Sequence, residues 1–253
     1  MDPYIANPLA WQESWDRQQE AYLPDREHRI ASMLDAVDAV VGDDAAPRVL
    51  DLAGGTGSIS LRTLARFPSA RMTLVDLDPA LLAIAAASLG DRATIVTADL
   101  RRPDWRADLA PGTYDAVLTA TALHWLPANR VADLYAEIHE LLRPGGVFVN
   151  ADHMPDDGLP GLSKRLVERA DRRREQRYAA GVVLSWSAWW EHVAGDPALA
   201  PLVRRRFEIF PAGPHTEWTP PISWHVDTLR SAGFTEVGPL WRGGADAAVA
   251  GVC

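Results

Sequence analysis

Short apolar runs alternate with segments of helical periodicity from about residue 47 onwards. Five buried strands are predicted at 47–53, 71–78, 93–100, 114–123 and 146–153, with helices between them at 58–67, 79–89 and 129–142. Strands that alternate with helices of about 10–15 residues are typical of βαβ units with right-handed crossovers. The pattern therefore predicts an α/β fold in which helices cover both faces of a mostly parallel sheet.

The alternation stops after residue 153. A long polar helix is predicted at 161–178 and a shorter aromatic helix at 185–193, whereas the proline-rich residues 195–221 are predicted as loops. A further helix is predicted at 223–234, with Ser223 as its N-cap and Gly233 as its C-cap. The last residues predict a pair of strands that completes the sheet.

These boundaries divide the chain into a sheet core and two additions. The core comprises residues 46–153 and 223–253, and the additions are a helical segment at 1–45 and a helical, aromatic insertion at 154–222. Ligands of open α/β sheets bind outside the carboxyl ends of the strands. Both additions are therefore predicted to form lids over a ligand cleft at that edge.

Composition narrows the possible functions. The chain has 253 residues and a net charge of −9, which disfavours a general binder of nucleic acid or of anionic membranes. Its single cysteine, Cys253, excludes an intramolecular disulfide and thiolate-cluster metal sites, and we expect no metal. No apolar run approaches the ~18 residues of a membrane span, and the N-terminus lacks a signal-peptide pattern. We therefore expect a cytoplasmic protein that is a monomer or a homodimer.

The segment VLDLAGGTG at 49–57 predicts a nucleotide-binding turn between a strand and a helix. An ATP-binding loop would need a lysine after the glycines, and a dinucleotide loop prefers G-x-G-x-x-G, whereas these glycines are Gly54, Gly55 and Gly57. Asp51 at the strand end would repel a pyrophosphate but attract an ammonium group. S-adenosylmethionine has no phosphate and carries a cationic amino acid, so it fits the loop best.

The ends of the next three strands supply further candidate cofactor residues. Asp76 ends the second strand, where an acid can accept hydrogen bonds from a ribose diol. Asp99 follows the third strand and can accept from an adenine amino group, with Leu100 or Ala98 against the ring. Thr119 and Ala120, at the end of the fourth strand, are predicted near the reacting sulfur.

The series VLDLAGGTG, LVDLDP, TADL, YDAVLTATALHWL and LLRPGGVFV, in this order, resembles the small-molecule class I S-adenosylmethionine-dependent methyltransferases. The resemblance covers about residues 47–153 and implies a Rossmann-like seven-stranded sheet whose last strand is antiparallel. It implies that Asp51 and the glycines hold the methionine end, Asp76 the ribose and Asp99 the adenine. Ala53 departs from the commonest family pattern, which has glycine there. Three further residues are assigned to the cofactor site: Ala53, Leu77 and His124.

Several histidines are candidate bases for methyl transfer to a hydroxyl group. His153 is the first candidate because it ends the fifth strand and is predicted to point into the cleft, and His124 is the second. For both, a structural role with the ring held by a backbone hydrogen bond is equally consistent with the sequence. His225 is predicted on a surface helix near an aromatic patch, and the sequence does not place His192 or His215.

The tryptophan clusters are candidates for the acceptor site. They are consistent either with packing of the lid on the sheet or with an aromatic wall for a flat, hydrophobic acceptor. Together with His153 and His225, the predicted acceptor residues are Trp11, Trp15, Trp125, Trp186, Trp189 and Trp190.

The sequence thus favours a methyltransferase that acts on oxygen or nitrogen of a small, aromatic or hydrophobic specialised metabolite and releases S-adenosylhomocysteine. One alternative is a methyltransferase for RNA or protein that uses the arginine-rich helix at 164–177. A solvated helix surface explains those charges better, because Glu168 lies four residues from both Lys164 and Arg172. A second alternative is a regulatory protein that binds S-adenosylmethionine without turnover.

Overall fold

The computed structural model describes residues 5–23, 25–42, 46–211 and 217–253. The helices in these residues are α1 (Pro8–Tyr22), α2 (Arg26–Val41), α3 (Ser58–Arg66), α4 (Pro79–Leu89), α5 (Ala128–Leu141), α6 (Pro160–Ala179), α7 (Trp186–Ala194), α8 (Ala200–Ile209) and α9 (Ile222–Ser231). The strands are β1 (Arg48–Leu52), β2 (Arg71–Asp76), β3 (Ala93–Thr97), β4 (Tyr114–Ala120), β5 (Leu142–His153), β6 (Glu236–Gly243) and β7 (Asp246–Val252).

Within the described ranges, the strands form one seven-stranded sheet in the order β3-β2-β1-β4-β5-β7-β6. Strands β1 to β5 are parallel to one another, and β7 lies antiparallel between β5 and β6. The predicted Rossmann-like α/β fold with an antiparallel last strand is confirmed. Because β1, β2, β4 and β5 run in the same direction, their carboxyl ends meet at one edge of the sheet.

Each face of the sheet is covered by helices because alternate strand residues point to opposite faces. Val49 of β1 belongs to a buried cluster with α2, α3 and α4, whereas Leu50 belongs to one with α5 and α9. Helix α2 packs on the sheet itself, through Ile30, Met33 and Val37. Helix α1 instead belongs to a third buried cluster.

A third buried cluster joins α1, α4, α7 and α8, and we call it the lid cluster. Its aromatic members are Trp15, Trp189 and Trp190, which pack with Ile84 of α4 and Val203 of α8. The indole N–H of Trp189 donates to Ser14 Oγ at 3.0 Å, so the buried polar atom of this ring is satisfied. The cluster fixes the later insertion and α1 together against α4, which follows β2 directly.

Three local predictions were wrong. Residues 200–209, predicted as loop, form α8, which has Pro201 in its first turn. The N-cap of α9 is Pro221, and the Ser223 hydroxyl donates to Asp157 Oδ2 instead. The C-cap is Ala232, and Gly233 follows it with a φ of +106°.

No helix in the described part of the chain is long and apolar enough to cross a membrane.

Candidate active site

The glycine loop turns the chain sharply between β1 and α3. Gly55 and Gly57 have φ values of +55° and +84°, which glycine adopts without steric cost. At Gly54 a Cβ would lie 2.7 Å from Leu74 Cγ and 2.8 Å from Asp51 Cγ, so only glycine fits beside the acid. Ala53 also has a positive φ, +55°, which is unfavourable for a residue with a Cβ.

Asp51 is fully buried and only half satisfied. Its Oδ2 accepts from the Ser60 backbone N–H at 3.0 Å and the Ser60 hydroxyl at 2.6 Å. Its Oδ1 has no hydrogen-bond partner within the described residues and lies beside Gly54. Burial raises the pKa of Asp51 to about 6. A bound cation at Oδ1 would restore both the missing contact and the charge balance.

Asp76 supports the loop through its side chain. Oδ1 accepts from the backbone N–H groups of Leu77 and Asp78 at 2.7 and 2.8 Å, and Oδ2 accepts from Gly55 N–H at 2.8 Å. A carboxylate can accept about four hydrogen bonds, so one position on Oδ2 is open in this arrangement. That position suits one ribose hydroxyl rather than the two that the sequence suggested.

Asp99 is held by a neighbouring arginine. Both carboxylate oxygens accept from the Arg101 guanidinium at 2.8–3.0 Å, and Oδ1 also accepts from the Arg101 backbone N–H. Burial acts to raise the pKa of Asp99, but the bonds from Arg101 outweigh it and hold the pKa below its usual value. An adenine amino group would share these oxygens with Arg101. Leu100 beside it is buried, and Leu77 is half-buried.

Asp78, which was not among the predicted site residues, links the edge of the sheet that carries the glycine loop to the lid cluster. Its Oδ1 caps α4 by accepting from the N–H groups of Ala80 and Leu81. Its Oδ2 pairs with Arg206 Nε of α8 at 2.6 Å, and this guanidinium lies 4.1 Å from the Trp190 ring centroid. An Asp-Pro dipeptide at a helix start is an N-cap signal that could have identified Asp78.

Helix α1 contacts the same edge of the sheet at the start of α3. Ser58, the first residue of α3, accepts from Gln12 Nε2 at 2.9 Å and donates to Asp16 Oδ1 at 2.7 Å. Asp16 also pairs with Arg26 at 3.0 Å and with Arg62 at 3.3 Å. The segment before β1 is thereby tied to the residue that directly follows the glycine loop.

Two histidine–carboxylate pairs lie where β4 and β5 end. His124 Nδ1 is 2.7 Å from Asp152 Oδ1, and His153 Nδ1 is 2.6 Å from Asp246 Oδ1. The antiparallel register aligns His153 of β5 with Asp246 of β7, which explains the second pair. The centroids of the two imidazole rings are 5.5 Å apart.

The partner of His153 is itself fixed. Asp246 Oδ2 accepts from Arg29 Nη2 at 2.7 Å, and Arg29 is 1% exposed. Burial acts to lower the pKa of His153, but the hydrogen bond and the negative charge of Asp246 outweigh it and raise the pKa above its usual value. Nε2 of His153 is buried and lacks a hydrogen-bond partner among the described residues.

His225 does not lie on a surface helix face, as predicted, but is 3% exposed. Its Nδ1 is 2.7 Å from the hydroxyl oxygen of Tyr135, which also accepts from Asn150 Nδ2 at 3.0 Å. Burial lowers the pKa of His225 to about 4. The periodicity of the sequence placed His225 in a helix. It did not identify the side chains that bury His225, because Tyr135 and Asn150 lie far away in the chain.

The three histidines meet at a narrow cleft whose walls leave no space for a water molecule. Its described lining consists of Leu123, His124, Val131, Asp152, His153, Trp218, Pro220 and His225. The segment that carries Trp218 is tied to the site by a hydrogen bond from its backbone N–H to the His124 carbonyl at 3.0 Å. The tryptophan in this lining, Trp218, is not one of the six that were predicted.

None of the six predicted tryptophans is in this described lining, although the Trp125 ring lies next to it, with its centroid 4.8 Å from that of His124. Trp15, Trp189 and Trp190 belong to the lid cluster, and Trp11 contacts His192 with ring centroids 5.0 Å apart. Trp125 and Trp186 are 54% and 43% exposed. At the end of β4, Thr119 is buried and Ala120 partly buried. His192 is exposed on α7, and His215 lies outside the described residues.

Comparison with known proteins agrees with the fold. Residues 49–146 match a family model described as a methyltransferase domain. The chain is 33% identical over 188 residues to a trans-aconitate 2-methyltransferase of Methylobacterium radiotolerans, covering 74% of this chain and 62% of that protein. It is 32% identical over 167 residues to a demethylspheroidene O-methyltransferase of Rhodobacter capsulatus, covering 62% of this chain and 38% of that protein. The chain thus spans less than two thirds of these relatives.

A solved structure with a similar fold is an O-methyltransferase family 2 protein of Planctomyces limnophilus in complex with apigenin. The TM-score is 0.60 at 16% identity, over 98% of this chain and 62% of that one. At this identity the likeness concerns the fold alone.

Proposed function

Because the chain belongs to the class I S-adenosylmethionine-dependent methyltransferase family, we propose that it methylates an oxygen or nitrogen of a small, aromatic or hydrophobic acceptor. His153 serves as the general base. The observation that carries the proposal is the buried Nε2 of His153, which has no hydrogen-bond partner among the residues that the structure describes. The ring is held by Asp246 at the carboxyl end of β5. This atom lies at the edge of the sheet that the glycine loop also occupies.

The residues of the glycine loop fit the cofactor. Oδ1 of Asp51, which has no partner in the described part of the chain, suits the ammonium of the methionine group, and Gly54 leaves the space that a Cβ would fill. Asp76 offers its open Oδ2 position to the ribose, next to Leu77. When bound, S-adenosylmethionine supplies a methyl group on a positively charged sulfur.

Thr119, Ala120 and Asp99 complete the proposed cofactor site. Thr119 and Ala120 end β4, which lies beside β1 in the sheet, so this strand leads from the methionine end towards His153. Asp99 follows β3 on the far side of β2, where the adenine would lie. Ala53, Gly55, Gly57 and Leu100 shape the walls.

His153 has the hydrogen-bonding state that a general base needs. A carboxylate only accepts, so Asp246 orients the neutral ring with its proton on Nδ1 and its lone pair on Nε2. Nε2 can then take the proton of an acceptor hydroxyl as the methyl group is transferred, a contribution of about 10²–10⁴-fold. Asp246 is in turn held in place by Arg29.

The lining of the cleft sets the kind of acceptor. Leu123, Val131 and Trp218 provide apolar walls, and the polar groups are concentrated on the histidines. Pockets of this kind use apolar surface for affinity and a few polar groups for orientation. We therefore propose that the acceptor binds at this cleft, whose walls would separate to admit it, and that the lid cluster has a packing role.

The test is a comparison of His153→Ala with the parent protein. Formation of S-adenosylhomocysteine is measured with hydroxylated aromatics such as apigenin and with carboxylic acids such as trans-aconitate, and cofactor affinity is measured by calorimetry. His153→Ala should reduce turnover by ~10²-fold or more and leave cofactor affinity nearly unchanged.

His192→Ala is the matched control, because His192 is an exposed histidine on α7 outside the cleft, and it should retain full turnover. Full activity in His153→Ala would refute the assignment of the base and make His124 the next candidate. If no acceptor yields product in the parent protein while the cofactor binds, a binding role without turnover is favoured instead.

A further inference from the structure

The three histidines of the cleft do not present the same hydrogen-bonding group to it. His124 and His153 each contact a carboxylate through Nδ1, at 2.7 and 2.6 Å. A carboxylate accepts only, so each Nδ1 carries a proton and each neutral ring presents a lone pair at Nε2. His225 has a hydroxyl group as its partner instead, and the direction of that bond decides what its Nε2 presents.

The direction follows from the chain of contacts behind His225. Asn150 Nδ2 donates to the Tyr135 hydroxyl oxygen at 3.0 Å. The single hydroxyl proton of Tyr135 is then available to Nδ1 of His225, 2.7 Å away. Donation of this proton to Nδ1 satisfies the Tyr135 hydroxyl group, and the ring proton of His225 then lies on Nε2. Burial lowers the pKa of His225 to about 4, so the ring is neutral at neutral pH.

The donor at Nε2 has no partner in the described part of the chain, although it is buried and His225 lines the cleft. An unsatisfied buried N–H is destabilising, and a bound ligand can remove this penalty by accepting from it. The three side chains of this hydrogen-bonded chain, Asn150, Tyr135 and His225, are all buried, and the first two have no solvent-exposed surface. Their arrangement is therefore fixed before any ligand binds.

We propose that His225 Nε2–H is a specificity-determining donor that binds an oxygen atom of the acceptor next to the atom that is methylated. The acceptor class is a small molecule in which a hydrogen-bond-accepting oxygen, such as an ether or carbonyl oxygen, lies near the hydroxyl or amino group that is methylated. Tyr135 and Asn150 are positioning residues that act through His225. The inference rests on the proposed function, since it takes the methylated atom to be the one that faces His153.

Opposite polarity at the two histidines gives the selectivity. His153 accepts a proton from one substituent, and His225 donates to the neighbouring one. An acceptor without the second oxygen leaves the buried N–H unpaired and binds less well, because a site built to hydrogen-bond a group rejects analogues that lack it.

The first test measures the tautomer of His225 without using activity. Histidine-¹⁵N-labelled protein with S-adenosylhomocysteine bound is examined by NMR, and the proton is assigned from the two-bond couplings of the ring. The Nε2–H form is expected in the parent protein. Tyr135→Phe removes the hydroxyl group and should release this preference.

Tyr114→Phe is the control, because Tyr114 is equally buried and its hydroxyl contacts Thr73 at 3.3 Å, away from the cleft. It should leave the His225 signals unchanged. An Nδ1–H tautomer in the parent, or an unaltered tautomer in a folded Tyr135→Phe protein, overturns the proposal.

The second test compares two probes of matched size, 2-methoxyphenol and 2-ethylphenol, in the presence of S-adenosylhomocysteine. The methoxy compound should bind about 3- to 10-fold more tightly, the range of one neutral hydrogen bond, and should shift the Nε2–H resonance. His225→Phe should abolish the preference and Tyr135→Phe should reduce it.

Equal binding of the two probes to the parent protein refutes the proposed donor. The two proposals fail separately: a protein with the expected tautomer and probe preference but no methyl transfer contradicts the proposed function alone. A protein that transfers methyl groups yet does not distinguish the probes contradicts this inference alone.

Discussion

Replacement of Asp51 by asparagine should have opposite effects on stability and on cofactor binding. The carboxyl group is fully buried, its Oδ1 is unpartnered, and its pKa is raised from 3.8 to about 6. A difference of about 2 pKa units corresponds to about 3 kcal/mol. In the ligand-free protein, the stability that the protonated Asp51 carboxyl group contributes is fully present below pH 3.8. It is lost as the pH rises through 6, because burial penalises the ionised form.

The Asp51→Asn protein lacks that charge, so its ligand-free form should be more stable at pH 7, by up to about 3 kcal/mol. Its affinity for S-adenosylmethionine should nevertheless fall by about 1.5–3 kcal/mol, the range of a hydrogen bond to a charged group. If Asp51 were needed only for packing, its replacement would lower the stability of the protein and leave the cofactor affinity of the folded fraction intact. The signs of the two effects therefore distinguish the roles.

The assay is calorimetric titration with S-adenosylhomocysteine, which keeps the ammonium group, between pH 5 and 7.5, with thermal denaturation in parallel. Below about pH 6 the parent protein must lose a proton from Asp51 to bind the cation, so affinity should rise with pH and then level off. In Asp51→Asn this rise should disappear. Asp78 also has a pKa of about 6, but its carboxylate is already paired with Arg206 and should not bind the cofactor ammonium.

Asp115→Asn is the control, because Asp115 contacts Arg48 and Arg143 at the opposite edge of the sheet. It should leave cofactor affinity unchanged. Unchanged affinity in Asp51→Asn, or a pH dependence that persists there, would refute the reasoning.

Three further outcomes are expected. Asp246→Asn should move the rising limb of the kcat/KM profile to lower pH, because Asp246 raises the pKa of His153; a profile that does not move contradicts the assigned base. Ala53→Gly should raise the free energy of unfolding by about 0.5–1 kcal/mol by removing the strain of a positive φ, and a lower Tm would count against it. Trp189→Ala should cost about 3–5 kcal/mol of stability as a fully buried residue, whereas Trp125→Ala should change it by about 0.5 kcal/mol or less. Equal losses for both tryptophans would contradict the packing role.

The sequence predicted the features that depend on local pattern. Strand β1 and the glycine loop consist of an apolar run, an acid and residues with positive φ. Each of these features is visible in the sequence, as apolar residues, an aspartate and glycines. The number of strands and the antiparallel last strand followed from the resemblance. The seven-stranded arrangement was therefore predictable, including the edge of the sheet where the site lies.

Contacts between distant residues could not be predicted in the same way. His153 was chosen for its position at a strand end, but its partner Asp246 lies 93 residues later and meets it through the register of β5 and β7. His225 was placed on a surface because helix periodicity does not show what covers each helix face. Helix α8 was missed because Val203 is its one described residue that is buried, so its periodicity is weak.

The contacts of Ser58 and Asp78 have a consequence for the order of events at the site. Helix α1 holds Ser58 beside the glycine loop, and α8 holds Asp78 beside Asp76. These two helices, which we call the cover, therefore depend on the conformation of the loops at which we propose that the cofactor binds. Equilibria that share a conformation are reciprocal: the factor by which the cofactor favours the docked cover is the factor by which docking tightens the cofactor. We therefore expect the cofactor to bind before the acceptor and to leave after the methylated product. Slower hydrogen exchange in α1 and α8 on addition of S-adenosylhomocysteine is the observable, and unchanged exchange would exclude this coupling.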